Sequence, residues 1–149
     1  MMFEHSLSLA VADAIATATL EKGQSEGFQP LTVAVLDDGG RLKVLKRGDG
    51  ASVLRPEIAM GKAFGALTLG MGGRELARRS QKMPGFMNAL SDLAGGLAVP
   101  VPGGVLVRSA EGRILGAVGV TGDVSENDEL CAVHAIEAAG LKADTGDPA

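Results

Sequence analysis

The sequence predicts an α+β fold in which an antiparallel sheet packs against helices. Two stretches carry most of that reading. Leu31–Leu36, Asp37-Asp38-Gly39-Gly40 and Arg41–Arg47 form one; Val105–Arg108, Ser109-Ala110-Glu111-Gly112 and Arg113–Val120 form the other. Each runs apolar strand, acidic turn ending in glycine, arginine, apolar strand, which is the pattern of a hairpin. Helical spacing fills the segments before, between and after them, and strand pairs separated by helices make a layered sandwich. At 149 residues the chain suits a single domain over 1–149, large enough to bury a core.

Taken in order, residues 1–7 read as a loose arm that includes His5. Ser8 can cap a helix whose stripe is Leu9, Ala12, Ala16 and Leu20, flanked by Ile15. That helix ends between Gly23 and Gly27, and Pro30 blocks its continuation. After the first hairpin, Pro56 suits the first turn of a helix running from Glu57 to about Leu69. Gly61 and Gly65 lie one turn apart on it and each costs roughly 1 kcal/mol relative to alanine, so they mark a place where something meets the backbone. Short helices are expected over Arg74–Lys82 and Pro84–Leu93. Val99 can form a short edge strand before Pro100 and Pro102. A final helix runs from about Glu126 to Ala139, and residues 142–149 read as a frayed polar tail.

Composition excludes several functions. A net charge of −4 with no basic stripe beyond Arg74, Arg78 and Arg79 argues against a nucleic-acid binder. No apolar run approaches the roughly 20 residues that a membrane span needs. Glu4 and Asp13 stand where a secretory leader would be basic or apolar, so a cytoplasmic protein with a reduced lone cysteine is expected. There is no G-x-S-x-G elbow, no phosphate-binding glycine motif and no Cys-x-x-Cys-His for covalent haem.

The residues that can carry chemistry fall in two groups. Arg55, Glu57 and Lys62 lie at the start of the second helix, where the two cations can hold carboxylates or can pair with Glu57 or the Asp37-Asp38 turn. Lys62 interrupts an apolar face and needs a partner if buried. The second group is Thr121, Gly122 and Asp128, where a strand bearing Gly116 and Gly119 leads into the last helix. Missing side chains and free helix N–H groups there suit a small anionic ligand, or else a tightly packed joint. Cys131 reads as a small buried hydrophobe, and His134 as a partly exposed residue beside Glu137 or as a metal ligand to iron.

Five ordered segments, SLSLAVADAI, VAVLDDGGRLKVLKRGDGA, RPEIAMGKAFGAL, VPGGVLVRSAEGRILGAVGVTGD and NDELCA, cover nearly the whole chain. Together they resemble the GlcG/HbpS-like family of haem-binding proteins. The resemblance implies a profilin-like α+β domain with a five-stranded antiparallel sheet flanked by helices. It also implies non-covalent haem as the cofactor and a homo-oligomer in which dimers build a larger assembly. It places Lys62 on the family's A-x-x-K-A motif, Thr121 on its G-V-[ST]-G turn, and Asp128 with Cys131 on its D-x-x-C-A motif. The expected function is haem binding or handling. The alternatives are an accessory protein for a small carboxylated metabolite and a scaffolding subunit with no ligand.

Overall fold

The computed structural model describes residues 6–148. Its elements run α1 (Leu9–Ser25), β1 (Thr32–Asp37), β2 (Leu42–Arg47), α2 (Arg55–Leu69), α3 (Gly73–Lys82), α4 (Pro84–Leu93), β3 (Gly104–Arg108), β4 (Ile114–Thr121), α5 (Ser125–Ala138) and β5 (Lys142–Asp144). The sheet order is β2-β1-β4-β3-β5 and every pairing is antiparallel. The two hairpins therefore meet through β1 and β4, whose register runs from Thr32 opposite Thr121 to Asp37 opposite Gly116.

Helices cover both faces. On one, Val33, Val35, Val105, Val107, Val118 and Val120 meet Ala12, Ile15 and Ala16 of α1 and Cys131, Ala132 and Ile136 of α5. On the other, Leu36, Leu106 and Ala117 meet Ala63 and Ala66 of α2. β1 and β4 lie between two layers, which is why both read as near-continuous apolar runs rather than alternating ones. Each buried valine or leucine contributes about 1.5–3 kcal/mol relative to exposure.

Local signals place most boundaries. The Ser8 hydroxyl accepts from the Val11 N–H at 3.2 Å and starts α1. The stripe of α1 is Ala12, Ile15, Ala16, Thr19 and Gly23, so Leu9, expected on it, is instead 61% exposed in the first turn. α2 ends at Gly70, whose φ of 66° is the left-handed cap that glycine adopts without strain. Gly61 and Gly65 receive the 97–99 loop: Val99 donates its N–H to the Gly61 carbonyl at 3.0 Å, and a Cβ on Gly61 would lie 2.5 Å from the Val99 side chain.

Three expectations for the chain ends and the edge are revised. Leu7 is buried, and its Cδ1 lies 2.8 Å from where a side chain on Gly116 would begin. His5 lies outside the described residues. Val99 is not a strand; the edge position belongs to β5, inside the segment expected to fray. β5 is fixed by Arg108, whose Nε donates to Asp144 at 2.9 Å. The tail beyond it is tied by Arg78 to Asp147 at 2.6 Å and by the Arg74 N–H to the Thr145 carbonyl at 3.0 Å. The basic cluster of α3 is thus spent on Glu75, Glu129 and the C-terminal segment. Among the described residues no helix is long and apolar enough to cross a membrane.

The closest approach in the fold is between α2 and β4. A side chain on Gly119 would collide with the Ala59 carbonyl and stand 2.8 Å from the Ala63 nitrogen. Gly119→Ala is expected to destabilise by about 1–3 kcal/mol through overpacking against rigid backbone. Gly85→Ala, where open space surrounds the Cβ position within α4, should be neutral or gain up to about 1 kcal/mol. Urea denaturation of both variants checks this; equal stability of the two would contradict the packing.

Candidate functional site

The polar residues at the end of β4 form one connected node. Lys62, on the sheet-facing side of α2, extends its stem past Gly103 and Gly104. A Cβ on Gly103 would lie 2.9 Å from Lys62 Nζ and 3.2 Å from its Cδ, and one on Gly104 would strike the Lys62 carbonyl. The glycine pair therefore opens the passage that the lysine occupies. At its end Nζ donates to the Val120 carbonyl at 2.9 Å and to Asp128 Oδ2 at 3.2 Å. Asp128 is in the first turn of α5, so the pair joins helices on opposite faces of the sheet around the end of its central strand.

Both charges are buried, at 5% and 1% side-chain exposure. Burial pushes the Lys62 ammonium below its ordinary value, and attraction to Asp128 only partly restores it. Burial likewise raises the Asp128 carboxyl, against the opposing pull of Lys62 and of the Asp123 N–H. Each charge offsets part of the cost of burying the other. That N–H donates to Asp128 Oδ1 at 2.9 Å, so both carboxylate oxygens are satisfied. Asp123 in turn accepts from the Gln29 N–H at 2.8 Å, from the Val124 N–H and from Asn127 Nδ2. These donors, the Gln29 N–H foremost, hold its carboxyl below the usual range.

Six residues were expected to line a ligand site, and the structure divides them. Lys62 and Asp128 meet, but as a buried structural pair rather than as a free cation beside a polar wall. At the start of α5 the chain's own carboxylates, Asp123 and Asp128, accept from the Val124 and Asp123 N–H groups. Gly122, at φ 142°, packs its backbone on Pro30 and Leu31, where a side chain would strike the Pro30 carbonyl. The gap left by Gly119 is filled by α2. Arg55 and Thr121 do meet: Arg55 Nη1 donates to the Thr121 hydroxyl at 2.7 Å and Nε donates to Ser52 at 3.2 Å. Arg55 pairs with neither Glu57 nor the Asp37-Asp38 turn. Glu57 is exposed on another side of α2.

That other side borders a cleft of about 430 Å³ between the β1–β2 turn and α2. Its walls are Leu36, Leu42, Met60, Phe64 and Leu97, with Arg41 and Glu57 supplying charge. Gly40, at φ 78°, brings the turn close to the Phe64 ring, 3.0 Å from a Cβ position there. The volume falls within the range of pockets that hold small ligands. Sequence reasoning missed Arg41, Met60 and Phe64. The signal available was a second stripe on α2, since Met60 and Phe64 are one turn apart and off the Ala59–Ala63–Ala66 face.

Cys131 is fully buried beneath α1, and burial raises its thiol to about 11, so it is an inert hydrophobe. His134 is exposed on α5, and no cluster of three or more His, Cys, Asp or Glu suited to a metal exists among the described residues.

Comparison with known proteins is consistent across sequence and structure. Residues 7–137 match the family model described as haem degrading protein HbpS-like. A 15.0 kDa protein from the dhaT–dhaS intergenic region of Citrobacter freundii is 32% identical over 132 residues, covering 89% of this chain and 91% of that one. Protein GlcG of Escherichia coli K12 is 33% identical over 121 residues, covering 77% and 81%. The crystal structure of HbpS superposes with a TM-score of 0.78 at 33% identity over 89% of each chain. A PduOC:heme complex superposes with a TM-score of 0.80 at 26% identity, over 95% of this chain and 99% of that one.

Removing one partner of the buried pair leaves the other uncompensated. Lys62→Met is expected to cost about 3–5 kcal/mol at neutral pH, and Lys62→Met with Asp128→Asn should recover most of it, because the amide oxygen can still accept from the Asp123 N–H. Denaturant unfolding of the single and double variants reads this. A double variant no more stable than Lys62→Met would mean that the pair does not carry the coupling.

Proposed function

The chain belongs to the HbpS-like family, and on that premise we propose that it binds and handles haem in the cleft between the β1–β2 turn and α2. One observation carries the placement. Of the described residues lining this cleft, Met60 is the single soft donor and Arg41 the single cation, set in walls that are otherwise mostly aliphatic and aromatic. A thioether is an established axial donor to haem iron, and a guanidinium suits a propionate carboxylate. Leu42 and Leu97 are 49% and 58% exposed, so the cleft mouth is apolar on both sides. Bound there, haem would supply redox-active iron, with Met60 positioned to ligate, Phe64 to stack and Arg41 to anchor.

Assembly as a homo-oligomer belongs to the same reading. Phe86 and Leu93 of α4 are 50% and 87% exposed, and Leu97, in the loop that follows, lines the cleft. A second copy covering these side chains would also shield the cleft from solvent.

Titration of the protein with hemin, read by absorbance and by sedimentation of the same samples, tests both parts. The expected result is a saturable shifted Soret band on a discrete oligomer, altered in position by Met60→Ala and weakened about tenfold by Arg41→Ala, the loss of one charge-assisted contact. A spectrum matching free hemin, or one that neither substitution changes, would overturn the placement.

A further inference from the structure

A second group of polar side chains lies at the opposite side of α2, at its N-terminus, away from the cleft. Thr32 and Thr121 are register partners in the β1–β4 pair, so their side chains stand side by side on one face. That face is the one α2 covers: Leu36, four residues along β1 from Thr32, and Ala117, four residues back along β4 from Thr121, both pack on α2. Thr32 is fully buried, yet its hydroxyl has no hydrogen-bond partner among the described residues. Native proteins rarely leave such a group unpaired.

Its register partners, Thr121 and Arg47, both carry protons to give. The Thr121 oxygen already accepts from Arg55 Nη1, which leaves its proton to be given elsewhere. Arg55 uses Nε on Ser52 and one Nη1 proton on Thr121, so Nη2 and the second Nη1 proton are free among the described residues. The guanidinium is half-buried and forms no carboxylate pair there. Arg47, the register partner of Thr32 on its other side, gives one proton to the Ala51 carbonyl and likewise pairs with no carboxylate among them. The α2 N-terminus has no side-chain cap and adds its positive dipole end. The two carboxylates of the node are both committed, Asp128 to Lys62 and the Asp123 N–H, and Asp123 to the Gln29 and Val124 N–H groups and the Asn127 amide.

A site whose one uncommitted charged group is a guanidinium, flanked by hydroxyls able to donate and with its carboxylates already paired, favours an anion, and the planar two-pronged guanidinium end favours a carboxylate. Val53 and Leu54 just before Arg55, and Val124 three residues beyond Thr121, are apolar and 83%, 64% and 59% exposed. We propose that Arg55, Thr121 and Thr32 form a receptor for a small monocarboxylate bearing a short aliphatic substituent. Its carboxylate sits end-on against Arg55 and accepts from the threonine hydroxyls, while the aliphatic group rests on the exposed valine and leucine side chains.

The test is calorimetric titration of the full chain with acetate, butyrate, butyramide and inorganic phosphate. Saturable binding of butyrate, tighter than acetate and absent for butyramide, is expected. Arg55→Gln and Thr121→Val should each weaken it by about tenfold or more, the loss of a hydrogen bond to a charged group. Arg55→Lys should recover part of the affinity, which separates loss of the site from loss of the fold. Hemin binding should be unchanged in Arg55→Gln, so failure here and failure of the cleft reading are distinguishable. No saturable carboxylate binding, phosphate binding more tightly than butyrate, or butyrate affinity unaffected by both substitutions would each overturn the assignment.

Discussion

A buried ion pair through the end of the central strand is the constraint on which the rest of the molecule depends. Lys62 and Asp128 come from helices on opposite faces of the sheet, and they meet only because Gly103 and Gly104 leave a channel beside β4. Such a pair is poor as a source of net stability, since removing two charges from water offsets most of their attraction. What it does supply is position. With Nζ held also by the Val120 carbonyl, α2 can sit at one height along β4, and α5 must start where Asp128 can reach.

That height sets everything downstream. Gly119 lies under Ala59 and Ala63, so α2 contacts the strand backbone rather than a layer of side chains. Arg55, two turns before Lys62 on the same side, then arrives beside Thr121. Met60 and Phe64, on another side, arrive beside the β1–β2 turn and make the cleft. One helix thus presents two distinct chemistries, donors at its N-terminus and apolar side chains with a thioether along its flank.

Much of this was legible in the sequence, and the parts that were not have physical reasons. Hairpin turns, the Ser8 cap and the Pro56 start are local signals, and the structure keeps them. Gly61 and Gly65 announced a backbone contact correctly, though not that Val99 would supply it. β5 was invisible because Lys142-Ala143-Asp144 has no strand character; pairing with β3 and the Arg108–Asp144 contact select it. The bare glycines of β4 looked like room for a guest, but a bare strand is equally a surface for a helix, and sequence cannot tell which arrives. Lys62 was recognisable as a buried cation in need of a partner. Its partner, Asp128, stood among the expected ligand residues, but 66 positions away, and only the fold brings the two together.

The account therefore rests on the ionisation of one carboxyl group. Following the Asp128 side-chain carbon by NMR as pH is raised from acid to neutral measures it directly. Burial beside Lys62 predicts a midpoint above the ordinary aspartate value of about 3.9. A midpoint at that value, unmoved by Lys62→Met, would show a solvated carboxylate that does not feel the lysine, and with it an α2 that is not anchored through the end of β4.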